Sequence, residues 1–453
     1  MGLTDLLNTS TLLIYGLPAF TLYILLLYTY RLTLHPLAKF PGPKLAGISN
    51  WYEFYYDVCL HGKFTSHIQD LHKQYGPIIR ITPSELHIDD PDYYEVLYER
   101  AGRRDRYSYF ASRFGAATDT FSTIPHDLHR ARRKPLNPMF SGARIAQFQP
   151  VIRGMVDKLC SKFEGLKGTG EVVMLDRALM ALTTDIITEY AFAKGYGQLD
   201  VPGFTETMHD ALVACYVVGH FALHFPIVFP ILDSLPDWFT LTVQPVLQPV
   251  VGIKYDLAKK VREIREGLNE GHKTVEHPTI FHEMLNSDQP ESEKTDSRLG
   301  DEAQLIVAAG LVTTSRALTV GGFHLIANPP IVAKLREELK AAKIDVTSSA
   351  KTLDWHKLEA LPYLNGIVHE AIRLAHGITT RSPRLAPDQE LQYGEYMIAK
   401  NTPVSMTTVD ILMNEKIFPE PREFRPERWI GHPELERYFV PFGKGSRQCM
   451  GVK

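Results

Sequence analysis

Near the end of the 453-residue sequence, ten residues combine types and spacing that could do chemistry: Phe442-Gly443-Lys444-Gly445-Ser446-Arg447-Gln448-Cys449-Met450-Gly451. Gly443 and Gly445 allow the backbone to turn where a Cβ would clash. Cys449 stands where a helix could begin, and a thiolate there is favoured by unpaired N–H groups and the helix dipole. Arg447 offers a planar fork of donors suited to a carboxylate. Gly451 leaves room for a flat body to lie close. A buried thiolate, a close flat surface and a carboxylate-binding arginine together describe haem held by an axial cysteine. A lone cysteine in a Gly-rich turn is ordinarily inert. The complete pattern F-x-x-G-x-R-x-C-x-G, opened by Phe442, carries the reading.

Such a loop needs elements to hold it. Asp301–Ala327 contains no proline and ends at Asn328-Pro329-Pro330, which predicts a long helix with a sharp stop. At ~1.5 Å per residue it would run about 40 Å. Inside lies Ala308-Ala309-Gly310-Leu311-Val312-Thr313-Thr314. Small side chains let a ligand approach the backbone, and a mid-helix threonine either bonds the carbonyl four residues back or faces that ligand. Glu370 and Arg373 are spaced i, i+3 in a largely apolar helix. Further on comes Phe424-Arg425-Pro426-Glu427-Arg428-Trp429. In the basic run His129-Arg130-Ala131-Arg132-Arg133, His129 and Arg133 share one helical face. Short strands are expected at Gly76–Ile81 and Glu85–Asp89. The rest of the body reads helical, with a polar loop over 286–297.

With 44% apolar residues the chain can bury a large core, and a net charge of -3 gives no electrostatic footprint for nucleic acid. Cys59, Cys160, Cys215 and Cys449 are too widely spaced for a disulfide framework or a zinc site. The first three read as buried apolar fillers in a reducing compartment. Residues 11–30 carry no charge, and ~20 apolar residues would cross a hydrocarbon core of ~30 Å. A cleaved signal peptide would need a basic start, whereas this one holds Asp5 and neither Lys nor Arg. Arg31, His35 and Lys39 follow, which puts the body on the cytosolic side. The expected organisation is a lumenal start (1–10), a transmembrane anchor (11–30), a proline-rich hinge (31–44) and a catalytic body (45–453). Residues 204–251 are apolar and broken by Pro226, Pro230 and Pro236, as in a core or in a roof that meets the membrane.

These motifs resemble those of the cytochrome P-450 family, and the anchor and hinge resemble its membrane-bound fungal members, notably trichodiene-oxygenase-like enzymes. The resemblance implies a mainly α fold with small β-sheets (α+β). It implies heme b (iron protoporphyrin IX) with Cys449 as axial thiolate and metal ligand, and with Phe442, Gly445, Arg447 and Gly451 around it. Arg133 and His129, the latter where tryptophan is common in the family, match the positions that contact a haem propionate, and Arg384 matches another. Gly310, Thr313 and Thr314 match the oxygen-side groove, and Ile378 and Thr379 would lie near substrate. The family pattern has an acid where this chain has Val312. The acid–alcohol proton relay therefore lacks its acid, and slower turnover or more peroxide leakage than in Val312→Asp is expected. Glu370 and Arg373 match the family's E-x-x-R, with Arg428 as third member of a triad that locks the segment carrying the cysteine loop.

No G-x-G-x-x-G fingerprint is present, so electrons would come from NADPH through a separate reductase. Arg130, Arg132 and Lys444 offer it a basic docking face or are simply solvated charges. The expected function is a monooxygenase at the endoplasmic reticulum membrane. It would insert one oxygen atom from dioxygen into a hydrophobic small molecule, a terpenoid or other secondary metabolite. Family members continue past the cysteine with a helix and a terminal hairpin, so a C-terminally truncated chain is expected. Two alternatives stand beside this. One is a reductase-independent thiolate-haem isomerase, favoured by Val312. The other is a membrane-anchored remnant that binds no haem, favoured by the early end.

Overall fold

The computed structural model describes residues 12–111, 113, 115–205, 218–234, 248–345, 349 and 353–452. The chain falls into two compact units, Met1–Leu97 with Arg381–Thr407, and Tyr98–Thr380 with Thr408–Lys453.

The first unit begins with α1 (Leu17–Thr33), which buries none of its residues. Phe20, Tyr23, Leu25 and Leu26 all point outward. The helix runs past the expected limit at Tyr30, so Arg31 lies in its last turn rather than beyond it. It stops where the N–H groups of Leu34 and His35 both bond the Tyr30 carbonyl and Pro36 can donate nothing further. The last turn of the helix is pinned: the buried Arg80 donates to the Arg31 carbonyl at 2.7 Å and, on its other side, to the Pro83 carbonyl at 2.7 Å. Next, α2 (Phe64–Tyr75) buries Phe64, Ile68 and Leu71, one helical face, against Ile79 and Ile81. The expected strands form as β1 (Ile78–Arg80) and β2 (Leu86–Ile88), antiparallel with Ile79 opposite His87. Both are wholly buried. β3 (Arg384–Leu385) and β6 (Val404–Ser405) extend this sheet, β6 parallel to β2 and antiparallel to β3. β4 (Leu391–Tyr393) and β5 (Tyr396–Ile398) form a separate hairpin. Arg381 is buried between Glu53 and Glu85.

The second unit is helical: α3 (His126–Arg133), α4 (Gly142–Leu166), α5 (Leu175–Phe192), α6 (Gln248–Arg265), α7 (Asp296–Ala327), α8 (Pro329–Ala341) and α9 (Pro362–Ala375). α7 is the axis, packed by α5, α6 and α9. Its Leu299, Ala303, Ile306, Val307 and Leu311 sit in one core cluster with residues of α5 and α6. It starts at Asp296, five residues before the expected limit, because Thr295 Oγ1 caps the Arg298 N–H. The polar stretch 286–297 thus ends inside the helix. By length and composition α7 could cross a membrane, but its neighbours bury Leu299, Ala303, Ile306, Val307 and Leu311 in the core. Cys59 and Cys160 are exposed, not buried fillers. Cys160 occupies the outer side of α4, whose buried residues are Phe148 and Leu159. Cys215 and most of the apolar stretch 204–251 lie outside the described residues.

Candidate functional site

The cysteine loop turns through two left-handed glycines, Gly443 at φ +66° and Gly445 at φ +79°. The Cys449 N–H donates to the Phe442 carbonyl at 2.9 Å, closing the loop on its own start. A Cβ on Gly445 would lie 2.4 Å from the Tyr98 carbonyl oxygen and 2.7 Å from that of Glu99, so the loop rests on bare backbone there. Phe442 meets Phe439 edge-on, and Phe439 packs against Trp429 and His369. This aromatic chain ties the loop to α9. After Cys449 comes a short 3-10 turn, Met450–Val452.

Cys449 is exposed as a residue, yet its sulfur is set among protein atoms. Burial pushes the thiol pKa up, while the Gly451 N–H and the Arg133 guanidinium pull it down. The net direction is upward, contrary to the expected helix-stabilised thiolate, because the loss of water around the sulfur outweighs those two contacts. A Cβ on Gly451 would meet only the sulfur, at 3.9 Å. The side of the sulfur facing Gly451 is therefore unobstructed.

Arg447, expected to face a carboxylate, spends its fork on backbone. It donates to the Thr123 and Ile124 carbonyls at 2.7 Å each, and more weakly to that of Arg104. Arg133 donates to the Gln448 carbonyl at 2.5 Å and to Asn137 at 2.9 Å, which brings a positive charge beside Cys449. His129 is buried on the same helix. Arg384 belongs to the first unit, where it donates to Ser382 Oγ and the Pro383 carbonyl, both at 3.0 Å.

On α7, Thr313 and Thr314 are exposed, and Thr313 Oγ1 donates to the Ala309 carbonyl at 2.9 Å. Gly310 turns elsewhere. A Cβ there would come 2.8 Å from Ile187 Cγ1, so its small size serves the packing of α7 on α5 rather than the approach of a ligand. Val312 is half-buried against the same core, together with Ile187 and Met450.

Glu370 and Arg373 form a two-bond pair at 2.7 and 2.8 Å with neither side chain exposed. Arg373 reaches on to the carbonyls of Leu412 and Pro421. Arg428 approaches Glu370 at 3.5 Å and donates to the Pro419 carbonyl. Two further partners of Glu370 escaped the sequence reading, Trp429 Nε1 at 2.9 Å and the Arg425 N–H at 3.1 Å. The adjacency of Trp429 to Arg428 was the available signal. Of the basic residues offered for docking, Arg132 is committed to Glu293 through two bonds at 2.7 and 3.0 Å.

A family model for Cytochrome P450 matches residues 41–453. The chain is 43% identical over 450 residues to "Cytochrome P450 monooxygenase sdnE" of Sordaria araneosa, covering 96% of this chain and 86% of that protein. It is 37% identical to "Tryptophan 6-hydroxylase fscE" of Fusarium equiseti (97% and 86% covered). It is equally 37% identical to "Cytochrome P450 monooxygenase TRI4" of Fusarium sporotrichioides (95% and 83%). Among solved structures, "Retinoic acid bound cyanobacterial CYP120A1" superposes with a TM-score of 0.64 over 84% of this chain and 82% of that one, at 19% identity, a likeness of fold. Complete cysteine loop, helical fold and sequence relatives agree: the chain belongs to the cytochrome P450 family of oxygen-incorporating oxidoreductases.

Proposed function

We propose that this chain is a haem-thiolate monooxygenase of fungal secondary metabolism whose iron ligand is Cys449. The observation that carries the reading is local. A single soft donor atom stands beside a glycine whose missing Cβ leaves space, in a loop closed by the Cys449–Phe442 hydrogen bond. That single sulfur donor fits the holding of a haem iron, and Cys449 would be the residue that holds it. A metal-bound thiol gives up its proton outright, so the raised thiol pKa is overcome by binding. When bound, the haem supplies the activation of dioxygen, with one oxygen atom going to the substrate C–H and the other to water at the expense of two electrons.

The chain's own residues hold and orient. Phe442, Gly445 and Gly451 shape the loop, and Arg133 sets a positive charge near the sulfur. His129 is the proposed partner of a haem carboxylate, while Arg447 holds the loop to the Thr123 and Ile124 carbonyls. Thr313 holds a proton at Oγ1, parked on the Ala309 carbonyl, and a rotation about χ1 presents it to a ligand. Val312 supplies no acid to refill it, which leaves water as the donor. Glu370, Arg373 and Arg428 lock the segment leading to the loop.

The proposed electron source is NADPH through a separate reductase, and α1 is the proposed anchor in the endoplasmic reticulum membrane. A hydrophobic substrate, terpenoid or otherwise, is in keeping with an apolar body. The test is a reduced, carbon-monoxide difference spectrum of the full chain and of Cys449→Ser. A thiolate-type Soret band in the first and none in the second is expected. Equal spectra, or no pigment in either, would overturn the proposal. A second reading, a reductase-independent isomerase, draws on Val312, and turnover that needs NADPH and reductase excludes it.

A further inference from the structure

Two adjacent acids at the start of α7 grip a loop far from them in sequence. Asp301 Oδ2 accepts from both the N–H and the hydroxyl of Thr118, at 3.0 and 2.6 Å. Glu302 Oε2 accepts from the N–H and hydroxyl of Thr120, at 3.0 and 2.8 Å. Glu302 is wholly buried and also pairs with Arg298 at 2.6 Å. The gripped segment is one tight turn, because the Asp119 carbonyl accepts from the Thr123 N–H and hydroxyl at 3.2 and 2.6 Å. Arg132 braces it a second time, donating to the Thr118 carbonyl and Thr123 Oγ1, both at 2.9 Å. The far end of the same turn is where Arg447 lands, on the Thr123 and Ile124 carbonyls. Arg447 is two residues from Cys449.

We propose that Asp301 and Glu302 are positioning residues for the cysteine loop, acting through the 118–124 turn and Arg447. The inference rests on Cys449 being the haem ligand. The arrangement gives α7 a double duty. Its first turns set where Arg447, and with it Cys449, can sit. About three turns later, ~18 Å along, the same rigid helix presents Thr313. The sulfur side and the oxygen side of the site are thereby referred to one element. Backbone carbonyls are weak, neutral acceptors for a guanidinium, so Arg447 stays in place only if those carbonyls are themselves held. Four hydrogen bonds to the carboxylate oxygens of Asp301 and Glu302 provide that hold.

The experiment uses the full chain with Glu302→Gln, Asp301→Asn, Thr120→Val and Thr120→Ser. A core variant, Leu182→Ala, serves as a control for general loss of stability. The first readout is the rate of Cys449 alkylation by iodoacetamide in haem-free protein, followed by peptide mass spectrometry so that Cys59, Cys160 and Cys215 are scored separately. The second, on haem-loaded protein, is the ratio of thiolate-type to thiol-type ferrous–carbonyl absorbance and the pH at which one converts to the other.

Losing one of these holds should speed alkylation and raise the thiol-type share by roughly tenfold in Glu302→Gln and Thr120→Val. Thr120→Ser, which keeps both bonds, should match the wild type. Variants that melt earlier yet leave both readouts unchanged would overturn the proposal, and so would equal changes in Leu182→Ala. If the wild type takes up no haem, the haem reading fails by itself. The alkylation rates still decide whether the clamp governs the loop.

Discussion

At Gly445 and Gly443 the same residue type does two different jobs, and the difference is measurable. Both need positive φ, which costs an L-residue about 1–2 kcal/mol. Only Gly445 also meets backbone: an added Cβ would stand 2.4 Å from the Tyr98 carbonyl oxygen, where overpacking adds about 1–3 kcal/mol. Gly445→Ala should therefore lower the urea midpoint clearly more than Gly443→Ala, and the reverse order would show that the loop does not rest on residues 98–99. A second residue-scale effect is pH-dependent. Burial, and then the neighbouring Glu302, push the Asp119 carboxyl up to about 7 against the partial relief from Ser122 and Arg106. The unfolded chain loses that proton near its ordinary pKa of ~3.9. Stability is thus lost as pH rises from about 4 to about 7, by up to roughly 4 kcal/mol, and stays lost above. Asp119→Asn should melt with the wild type near pH 4 and well above it near pH 8. Parallel melting curves at both would mean that Asp119 is ionised throughout. The position of Cys449 was legible because a strict pattern of turn residues surrounds it. Its raised thiol pKa was not, since that depends on how far the folded chain strips water from the sulfur.

Among the elements, α9 and the segment after it share a buried polar group centred on Glu370. Arg373→Ala strands the wholly buried Glu370, a loss of roughly 3–5 kcal/mol. Trp429→Phe removes one neutral donor from a carboxylate that keeps both arginines, a loss of about 1 kcal/mol. Chemical denaturation should return that order, and haem content should fall with the first and persist in the second. The helix α7 was legible in outline from an uninterrupted run bounded by prolines. Which face looks where was not, because small residues satisfy a ligand and a neighbouring helix equally well. Gly310 proves to face Ile187, and Val312 is half-buried against the core cluster that α7 shares with α5 and α6. An acid at 312 would therefore enter a half-buried apolar contact. Its cost, about 1–3 kcal/mol, has to be read from melting before any gain in coupling from Val312→Asp is interpreted.

For the whole molecule, the division into two units was not legible in the expected single body of residues 45–453. Their boundary is set by strand pairing: Arg381–Thr407 returns to lay β6 along β2, and pairing across more than three hundred residues leaves no local trace. The anchor, by contrast, depends on composition alone, and its outward apolar surface raises a question that can be decided. Leu25 and Leu26 are about 58% and 61% exposed, so they contribute little to the fold. An arginine at the centre of a spanning helix costs about 2.5–3.5 kcal/mol on an insertion scale, and two adjacent ones roughly double that. If α1 spans a bilayer, Leu25→Arg/Leu26→Arg should move the chain from the carbonate-resistant membrane fraction to the supernatant, with the melting temperature of the body unchanged. If α1 is instead a surface helix that rests on another protein, the wild type itself should wash off with carbonate. Retention of both chains in the pellet would mean that membrane attachment lies elsewhere in the sequence.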